Sequence, residues 1–592
     1  MTIRKISPAE VASETGTLTL PPAGLPSRNP TKSYWLRDPS AALLGHRSTP
    51  ELPETADVVV VGSGITGAFA ARFLKDGLAL HGRVGGGDQS VLMLEAREAC
   101  SGATGRNGGH CQPLVYGSVP AVAAFELEVF EFLERLVREE GVECDWVSLT
   151  GVHAFLSENM FELAVAEAEQ LNQSHPELAA QLEIVRASEG GGAQTLASLR
   201  VPSAQGAIIQ QKAASLWPYK LVATILERLI AKYPPPSFNL QTNTPVTSLT
   251  RTESGSGWIV TTPRGSITAN QVLLATNGYT SHLLPAFSDL IVPVRGQISA
   301  LLPPRPNSSD EGDNDKLPAR LTHSYVFAAD PEPGSSSSST SSTAAPRDDY
   351  LVQRPLGAGG ELIYGGGRRL ARGLGVGEWR DDEVEPEVAR YLRRELCPPL
   401  DLSTSTTSSV AAAAAAASPG PFSSLSSQER DQVSHSRQED GQRQELEASF
   451  EWTGVMGYSR DHHAWVGPVP ESLGGGGPTG GLWICAGYTG HGMPAAALSA
   501  REVVRQMVGA GEAKKVEHEG QGQGEEKGRV EVKLPSEFAL DEERVARAKA
   551  LPQLTLGWEA TNFSNLVGGG SSASASGNGK KIRYGVGTHD ST

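Results

Sequence analysis

A chain of 592 residues, 39% of them hydrophobic, is long enough to bury more than one hydrophobic core. Its formal net charge of -16 argues against nucleic-acid binding, which needs a basic face, and against attachment to an anionic membrane surface. Five scattered cysteines without paired spacing, together with the lack of a leader or a membrane-spanning apolar run, predict a cytoplasmic protein without a metal site.

The predicted elements begin after an N-terminal extension over residues 1–50. Asp57 to Val61 contains a continuous β-branched run, which is typical of a strand buried on both faces. Directly after it, Gly62-Ser63-Gly64-Ile65-Thr66-Gly67 opens a helix that we expect to end near Lys75. Val91 to Glu95 predicts the next strand, which ends in an acid. This order of strand, G-x-G-x-x-G turn, helix and strand is typical of a dinucleotide-binding unit.

The residue types of this unit match what a bound pyrophosphate requires. Gly62 permits the tight turn, Gly64 lets the backbone approach the pyrophosphate, and Gly67 lets the helix and the strand pack closely. Free N–H groups at the helix N-terminus then favour the negative charge. Glu95 is expected to accept hydrogen bonds from ribose hydroxyls and to repel a 2′-phosphate. The alternative is a glycine-rich strand-to-helix turn without a ligand.

Three later segments favour a flavin over a nicotinamide cofactor. The small-residue loop from Gly102 to Gly109 lets the backbone lie close to an extended cofactor, which a nicotinamide cofactor does not need. Val272 to Tyr279 predicts a buried strand that ends in small residues, and Val246 is expected near the adenine. Gly487 to Pro494 runs into a final helix, whose N-terminus suits the electron-rich pyrimidine edge of a reduced flavin. Alone, each segment is also consistent with an ordinary glycine-rich turn.

Elsewhere the chain alternates helix and strand patterns with segments of low complexity. This alternation predicts a layered α/β fold. Apolar residues at helical spacing occur over Phe125 to Glu140, Phe161 to Leu171, Pro218 to Ala231 and Ala495 to Val508. Compositions rich in serine, glycine, alanine or charge cannot bury enough apolar surface to offset the entropy of ordering. We therefore expect no fold in Pro303 to Arg347, Ser403 to Glu447, Gly509 to Gly528 and Gly568 to Thr592.

Taken in order, the four glycine-rich motifs resemble those of the FAD-dependent oxidoreductases of the D-amino-acid oxidase superfamily, which includes glycine and sarcosine oxidases. The resemblance is greatest to the γ-glutamylputrescine oxidoreductases, through Gly105 to Gly109, Pro293 to Gln297 and Glu451 to Gly454. It covers about Ser33 to Arg505 once the internal insertions are removed. It implies an α/β fold in which a Rossmann-type FAD-binding domain is interleaved with an α+β substrate domain built on an antiparallel sheet.

The resemblance also implies domain boundaries and an activity. The FAD-binding domain is expected to combine 51–117, 213–287 and 450–508, and the substrate domain 118–212 and 288–400, with insertions at 303–347 and 403–447 and a mostly disordered tail over 509–592. The implied reaction is oxidation of a C–N bond of an amine or amino acid to an imine, which water hydrolyses, with O₂ or another electron acceptor. Its implied FAD contacts are Gly62, Gly64, Ile65, Thr66, Gly67, Glu95, Ala96, Arg97, Thr104, Arg106, Asn107, Gly108, Val246, Ala275, Thr276, Gly487, Gly490, His491, Gly492 and Met493.

At the substrate end, the residues leave several options open. An arginine is able to grip a substrate carboxylate in a bidentate fork, and Arg106 is the first candidate because its loop is expected near the flavin. Arg295, Arg354 and Arg368 are the other candidates. Tyr350 is expected on a substrate-domain strand, facing either the pocket or the core. A flavin dehydrogenase or hydroxylase with a different acceptor, and a non-catalytic FAD-binding assembly factor, are the alternative functions.

Overall fold

Two sheets and the helices packed around them form the protein. The computed structural model describes residues 20–77, 88–304, 318–330, 346–403, 445–516 and 533–552. The strands are β1 Thr55–Val61, β2 Val91–Leu94, β3 His110–Cys111, β4 Val147–Phe155, β5 Leu182–Arg186, β6 Gly206–Ser215, β7 Phe238–Gln241, β8 Ser248–Arg251, β9 Trp258–Thr262, β10 Gly265–Leu274, β11 Ile291–Leu301, β12 His323–Ala329, β13 Arg347–Gln353, β14 Leu362–Gly365, β15 Ala448–Ser459, β16 Trp465–Pro468 and β17 Leu482–Ala486. The helices are α1 Ile65–Asp76, α2 Pro120–Glu140, α3 Glu158–Ser174, α4 Pro176–Ala179, α5 Gly192–Ser198, α6 Pro218–Lys232, α7 Thr280–Leu283, α8 Pro386–Arg394, α9 Ala496–Val516 and α10 Glu542–Ala550.

The first sheet has the strand order β16-β17-β10-β1-β2-β7, with the β8–β9 hairpin attached to β10. From β17 to β7 the neighbouring strands run parallel. Along β1, Val58 and Val60 pack into the core that includes α1, α6 and α9, while Val59 and Val61 pack into a second core. The strand is therefore buried on both faces, as its β-branched run predicts.

The second sheet has the order β15-β11-β14-β13-β12-β4-β6-β3, with β5 attached to β6. Except for β12 and β4, its neighbouring strands run antiparallel. The predicted α/β fold with a second, antiparallel sheet is confirmed. The chain crosses repeatedly between the two sheets. One boundary differs from the expected one, because β15 pairs with β11 in the second sheet although residues from 450 onward were expected in the FAD-binding domain.

One low-complexity prediction is wrong for part of its range. Residues 318–330 lie inside the expected insertion 303–347, yet β12 sits in the middle of the second sheet, between β13 and β4. Tyr325 and Phe327 are fully buried there. A strand of seven residues is too short to change the average composition of a serine-rich range, which is why composition hid it. Residues 305–317, 331–345 and 404–444 lie outside the described residues.

The expectation of a mostly disordered tail is also wrong for part of its range. Helix α9 continues to Val516, and residues 533–552 carry α10. Arg544 of α10 pairs with Asp461 at 2.8 Å and is 2% exposed, so this segment is docked on the body of the protein. Residues 517–532 and 553–592 lie outside the described residues.

The predicted N-terminal extension contributes to the core over its described part. Tyr34 and Trp35 are fully buried, and the indole N–H of Trp35 donates to the carbonyl oxygen of Asn107 at 2.5 Å. The Ser33 hydroxyl donates to the carbonyl oxygen of Gly105 at 2.7 Å. Residues 33–35 therefore support the loop from Gly102 to Gly109 by hydrogen bonds to its backbone.

Candidate functional site

A cavity of 430 Å³ lies between the two sheets, beyond the carboxyl ends of β1, β2 and β10. Four motifs that are distant in sequence converge on this one space. The predicted FAD contacts that line it are Gly62, Gly64, Ile65, Thr66, Glu95, Ala96, Arg97, Thr104, Arg106, Asn107, Gly108, Val246, Ala275, Thr276, Gly490, His491, Gly492 and Met493. Gly67 and Gly487 do not line it. The individual contacts with a cofactor stay predictions.

The turn at the start of α1 has glycine at the three positions where the backbone must come close to its surroundings, Gly62, Gly64 and Gly67. Gly62 has a φ of +105°, which other residues rarely adopt. A Cβ at Gly67 would collide with the Gly62 carbonyl oxygen, so α1 approaches β1 this closely only with glycine at 67. A Cβ at Gly64 would lie 3.1 Å from the Thr104 hydroxyl, which accepts a hydrogen bond from the Ile65 N–H. This open turn at a helix N-terminus fits a pyrophosphate.

Glu95 is held in place directly after β2. Its Oε2 accepts hydrogen bonds from the Ser63 N–H at 3.0 Å and from the Ser63 hydroxyl at 2.6 Å. Its Oε1 accepts a hydrogen bond from the Arg97 N–H at 2.9 Å. The carboxylate is thereby fixed beside the glycine turn, at the position that a dinucleotide-binding unit uses for the ribose.

Arg106, the first candidate for the substrate anchor, belongs to a buried ion-pair cluster. Arg106 and Arg97 both pair with Asp381, at 3.1 and 3.0 Å. The Arg106 guanidinium also donates to the carbonyl oxygens of Thr31 at 2.6 Å and Thr453 at 2.7 Å. Burial lowers the pKa of Arg106 to about 10, against the influence of Asp381, so the group stays charged at neutral pH. A guanidinium occupied in this way cannot form a fork with a substrate carboxylate, and the structure does not support that role for Arg106.

Of the three other candidates for the substrate anchor, Arg368 lines the cavity, whereas Arg295 and Arg354 do not. Arg295 pairs with Glu385 at 2.5 Å, away from the cavity wall. Arg354 is 1% exposed and pairs with Asp145. Both arginines therefore hold the substrate domain together and do not face a ligand.

The second sheet supplies a polar part of the cavity wall. Tyr350 on β13 lines the cavity and also packs against the first hydrophobic core. A Cβ at Gly108 would overlap the Tyr350 ring, so the loop approaches this ring closely only with glycine at 108. Arg368 donates a hydrogen bond to the Tyr458 hydroxyl at 2.7 Å and pairs with Asp348. The Arg368 side chain is 13% exposed, so part of it faces the cavity.

Sequence reasoning missed His153 on β4 and Gln112 after β3 as polar residues of this wall. His110 and His153 line the cavity, and so does Gln112. Nε2 of His153 accepts a hydrogen bond from the Gln210 side-chain amide at 3.2 Å, and its Nδ1 lies 2.6 Å from the Tyr116 hydroxyl. Burial lowers the pKa of His110 to about 4 and that of His153 to about 3, so both rings are neutral at pH 7. No local pattern marks them, because only the strand order brings them together.

The last predicted motif forms the turn between β17 and α9. Gly490 has a φ of +86°, whereas a Cβ there would meet the Tyr458 hydroxyl at 3.7 Å, which is an ordinary contact. Glycine is therefore favoured by the backbone conformation and not by lack of space. The positive end of α9 follows directly at Ala496 and suits the electron-rich edge of a flavin.

A second cavity, of 540 Å³, adjoins the first. Its remaining walls come from α2, α3, the β15–β16 turn and Phe538. The residues that line both cavities are Leu114, Tyr458, Tyr488, Thr489 and His491. Within the described residues, no group of three or more His, Cys, Asp or Glu side chains is arranged to hold a metal ion. No helix of the described chain is long and apolar enough to cross a membrane.

The first cavity therefore fits FAD. It offers a glycine-lined helix N-terminus for the pyrophosphate, a fixed carboxylate for the ribose and a second helix N-terminus for the flavin edge. Residues 57–400 match the family of FAD dependent oxidoreductases called DAO. The chain belongs to this family, because the match spans more than half of its 592 residues. The protein is thus an FAD-dependent oxidoreductase of the D-amino-acid oxidase type, as the motifs predict.

Solved structures share the fold at low sequence identity. L-proline dehydrogenase from P. horikoshii has a TM-score of 0.51 and 16% identity, covering 78% of this chain and 95% of its own. Glycine oxidase from Geobacillus kaustophilus has a TM-score of 0.50 and 17% identity, covering 77% and 95%. Glycine oxidase from Bacillus cereus ATCC 14579 has a TM-score of 0.50 and 14% identity, with the same coverage. No curated protein matches the sequence significantly.

Proposed function

We propose that this protein oxidises a C–N bond of an amine or amino acid to an imine, which water then hydrolyses. The observation that carries the proposal is the polar wall with Arg368 and Tyr350 in the same cavity that gathers the four cofactor motifs. Structural neighbours named glycine oxidase and L-proline dehydrogenase support an amine-type substrate. O₂ or another electron acceptor would complete the turnover.

The chain's own residues would bind, orient and enclose the reactants. The glycine turn at Gly62–Gly67 would hold the pyrophosphate, Glu95 the ribose, and the turn at Gly490–Met493 the flavin edge. Bound FAD would supply the hydride acceptor for oxidation of the substrate's C–N bond. The protein contributes position and electrostatics.

Arg368 replaces Arg106 as the proposed anchor for a substrate carboxylate. Its hydrogen bond to Tyr458 and its pairing with Asp348 fix the direction of the guanidinium. Burial raises the pKa of Tyr350, so its phenol stays neutral and donates a hydrogen bond to the same carboxylate. Since Asp348 already offsets part of the charge of Arg368, amines without a carboxylate also belong to the proposed substrate class.

The test is an anaerobic absorbance scan of the purified protein with bound FAD. Each member of a panel of amines and amino acids is added, and bleaching of the flavin band is followed. Reduction by at least one amine supports the proposal. Reduction by none, in protein that binds FAD fully, would contradict it and favour a non-catalytic assembly factor. Mixing the reduced protein with O₂ then separates an oxidase from a dehydrogenase or hydroxylase with a different acceptor.

A further inference from the structure

His491 stands in the wall that the two cavities share. It belongs to the turn between β17 and α9, where its backbone N–H donates to the Tyr488 carbonyl oxygen at 2.9 Å. Its Nδ1 lies 3.6 Å from Oε1 of Glu126. With Nδ1 on the side of that carboxylate, the opposite ring nitrogen, Nε2, hydrogen-bonds no other residue of the described chain.

Glu126 on α2 is placed to favour a proton on that ring. It is 3% exposed, and its Oε2 accepts a hydrogen bond from the Leu114 N–H at 2.8 Å, which fixes the carboxylate. Burial alone would lower the pKa of His491, but Glu126 outweighs it and the pKa is raised. In the described part of the chain, no lysine or arginine lines the second cavity, so no fixed cation there competes for Glu126.

The histidines nearby are less suited to accept a proton. Both ring nitrogens of His153 are already hydrogen-bonded. His463 has a pKa lowered by burial, and Asp461 next to it is paired with Arg544. The other ionisable groups around the shared wall are His110, Tyr116, Glu167, Tyr458, His462, Tyr488 and Arg368, which donates a hydrogen bond to the Tyr458 hydroxyl.

We propose that His491 is the base that takes a proton from the ammonium group of the substrate, an inference that rests on the proposed function. An ammonium cannot lose hydride from the adjacent carbon, because its nitrogen has no lone pair to form the C=N bond. Most alkylamines arrive as ammonium ions at pH 7, as the lysine pKa near 10.4 indicates. A base at the site is therefore needed before the redox step.

The proposed step conserves atoms and charge. One N–H proton of the ammonium passes to Nε2 of neutral His491, and the electron pair of the broken bond stays on the substrate nitrogen. Hydride then leaves the neighbouring C–H bond for the flavin while that pair forms the C=N bond. Glu126 stabilises the imidazolium, and when His491 returns to the neutral form its proton passes to solvent through the second cavity, which the same ring lines.

The pH dependence follows from this role. His491 accepts a proton only when neutral, so the limiting rate of flavin reduction should fall as pH drops through its raised pKa. Replacement of Glu126 by glutamine removes the charge that raises this pKa. The break in the profile should then move to lower pH.

The experiment is anaerobic stopped-flow reduction of the FAD-loaded protein across pH 6 to 10, for the wild type, His491→Gln and Glu126→Gln. Two substrates of one shape are compared, an alkylamine and a fluorinated analogue that is already neutral at pH 7. His491→Gln should slow the alkylamine at pH 7 by about 10²–10⁴-fold, the usual contribution of a general base. It should slow the neutral analogue by less than about threefold, and high pH or added imidazole should restore the alkylamine rate.

His463→Gln is the matched control, since this histidine lines only the second cavity, and it should keep the wild-type profile. FAD content is measured for every variant, and the pKa of His491 is measured directly by NMR of ¹⁵N-labelled histidine. That pKa should fall in Glu126→Gln. The proposal would be overturned if His491→Gln slowed both substrates equally. It would also be overturned if His110→Gln, and not His491→Gln, removed the pH dependence of the reduction rate. If no amine reduces the wild type, the proposed function itself has failed, while an unperturbed His491 pKa counts against the base alone.

Discussion

The two ends of the flavin cavity are built in different ways. The dinucleotide end uses backbone and glycine, and its key residues lie within Gly62 to Glu95, in the turn between β1 and α1 and directly after β2. The reacting end uses single side chains from β3, β4, β13 and the segment after β14. The first design binds a ligand part that is the same in every FAD enzyme, whereas the second is free to change with the substrate. The residues that bind the cofactor are therefore close together in the sequence, whereas the residues that select the substrate come from distant parts of it.

The two ends of the cavity also differ in the charge state and pairing of their ionisable side chains. Near the dinucleotide end, Arg97 and Arg106 share one carboxylate, that of Asp381, in a buried ion-pair cluster. At the reacting end, burial keeps His110 and His153 neutral, and Arg368 retains partial exposure. The contrast leads us to expect that changes at the first end affect folding and FAD content, while changes at the second affect selectivity for substrates.

Gly67→Ala should have the largest effect. The new Cβ would meet the Gly62 carbonyl oxygen, and backbone cannot move aside without opening the contact between α1 and β1. We expect most of the FAD to be lost, as measured by the absorbance of the purified protein and by release of FAD on heating. Gly190→Ala is the control, because a Cβ there meets no atom within 4 Å. Full FAD content in Gly67→Ala would mean that the close approach is not required.

Arg106→Met comes next. Asp381 keeps its pairing with Arg97, but the carbonyl oxygens of Thr31 and Thr453 lose the hydrogen bonds that Arg106 donates, and each buried acceptor left without a donor costs about 1–3 kcal/mol. The free energy of unfolding, from urea titration, should fall by at least that amount. The exposed Arg547, paired with Glu543, offers a matched control in which Arg547→Met should cost less than about 1 kcal/mol. A selective loss of carboxylated substrates in a stable Arg106→Met protein would return the anchor role to Arg106.

Arg368→Met should have a smaller and more selective effect. Losing a charge-assisted hydrogen bond costs about 1.5–3 kcal/mol, so the reduction rate at limiting substrate should fall roughly 10- to 100-fold for amino acids. Simple amines should be affected far less. Arg369→Met is the matched control, since Arg369 does not line the cavity. Stopped-flow measurement of flavin reduction, with one amino acid and with the amine formed by its decarboxylation, gives the two rates to be compared. Equal losses on the two substrates would remove Arg368 from the anchor role.

How far the sequence predicts this protein follows from the same contrast. The unit from Asp57 to Glu95 was predictable because strand, turn, helix and acid are adjacent, and each has a local physical requirement. The residue that anchors a substrate carboxylate was not predictable in this way. Whether an arginine side chain already has partners depends on residues that are far away in the sequence. Asp381 lies 275 positions from Arg106, and nothing near Arg106 indicates that its guanidinium is occupied.

Composition alone was a poor guide to short elements. It averaged β12 with its serine-rich surroundings and α10 with a polar tail, although Tyr325 and Arg544 are buried in the folded protein. A strand or helix contributes through a few residues placed on the correct face. Averages over about 40 residues cannot register them.

The smallest effect is expected from a deletion in the other long insertion. Replacing residues 404–444 by a short glycine-serine linker should leave FAD content and reduction rate unchanged, since the serine, alanine and charged composition offers little apolar surface to bury. Arg393 gives a reason to keep the flanks, because it pairs with Glu445 at 2.5 Å and Glu451 at 2.7 Å. Deleting 318–330 is the contrasting case and should give insoluble protein, since it removes β12 from between β13 and β4. Loss of FAD from the first deletion would show that residues 404–444 carry structure that composition does not reveal.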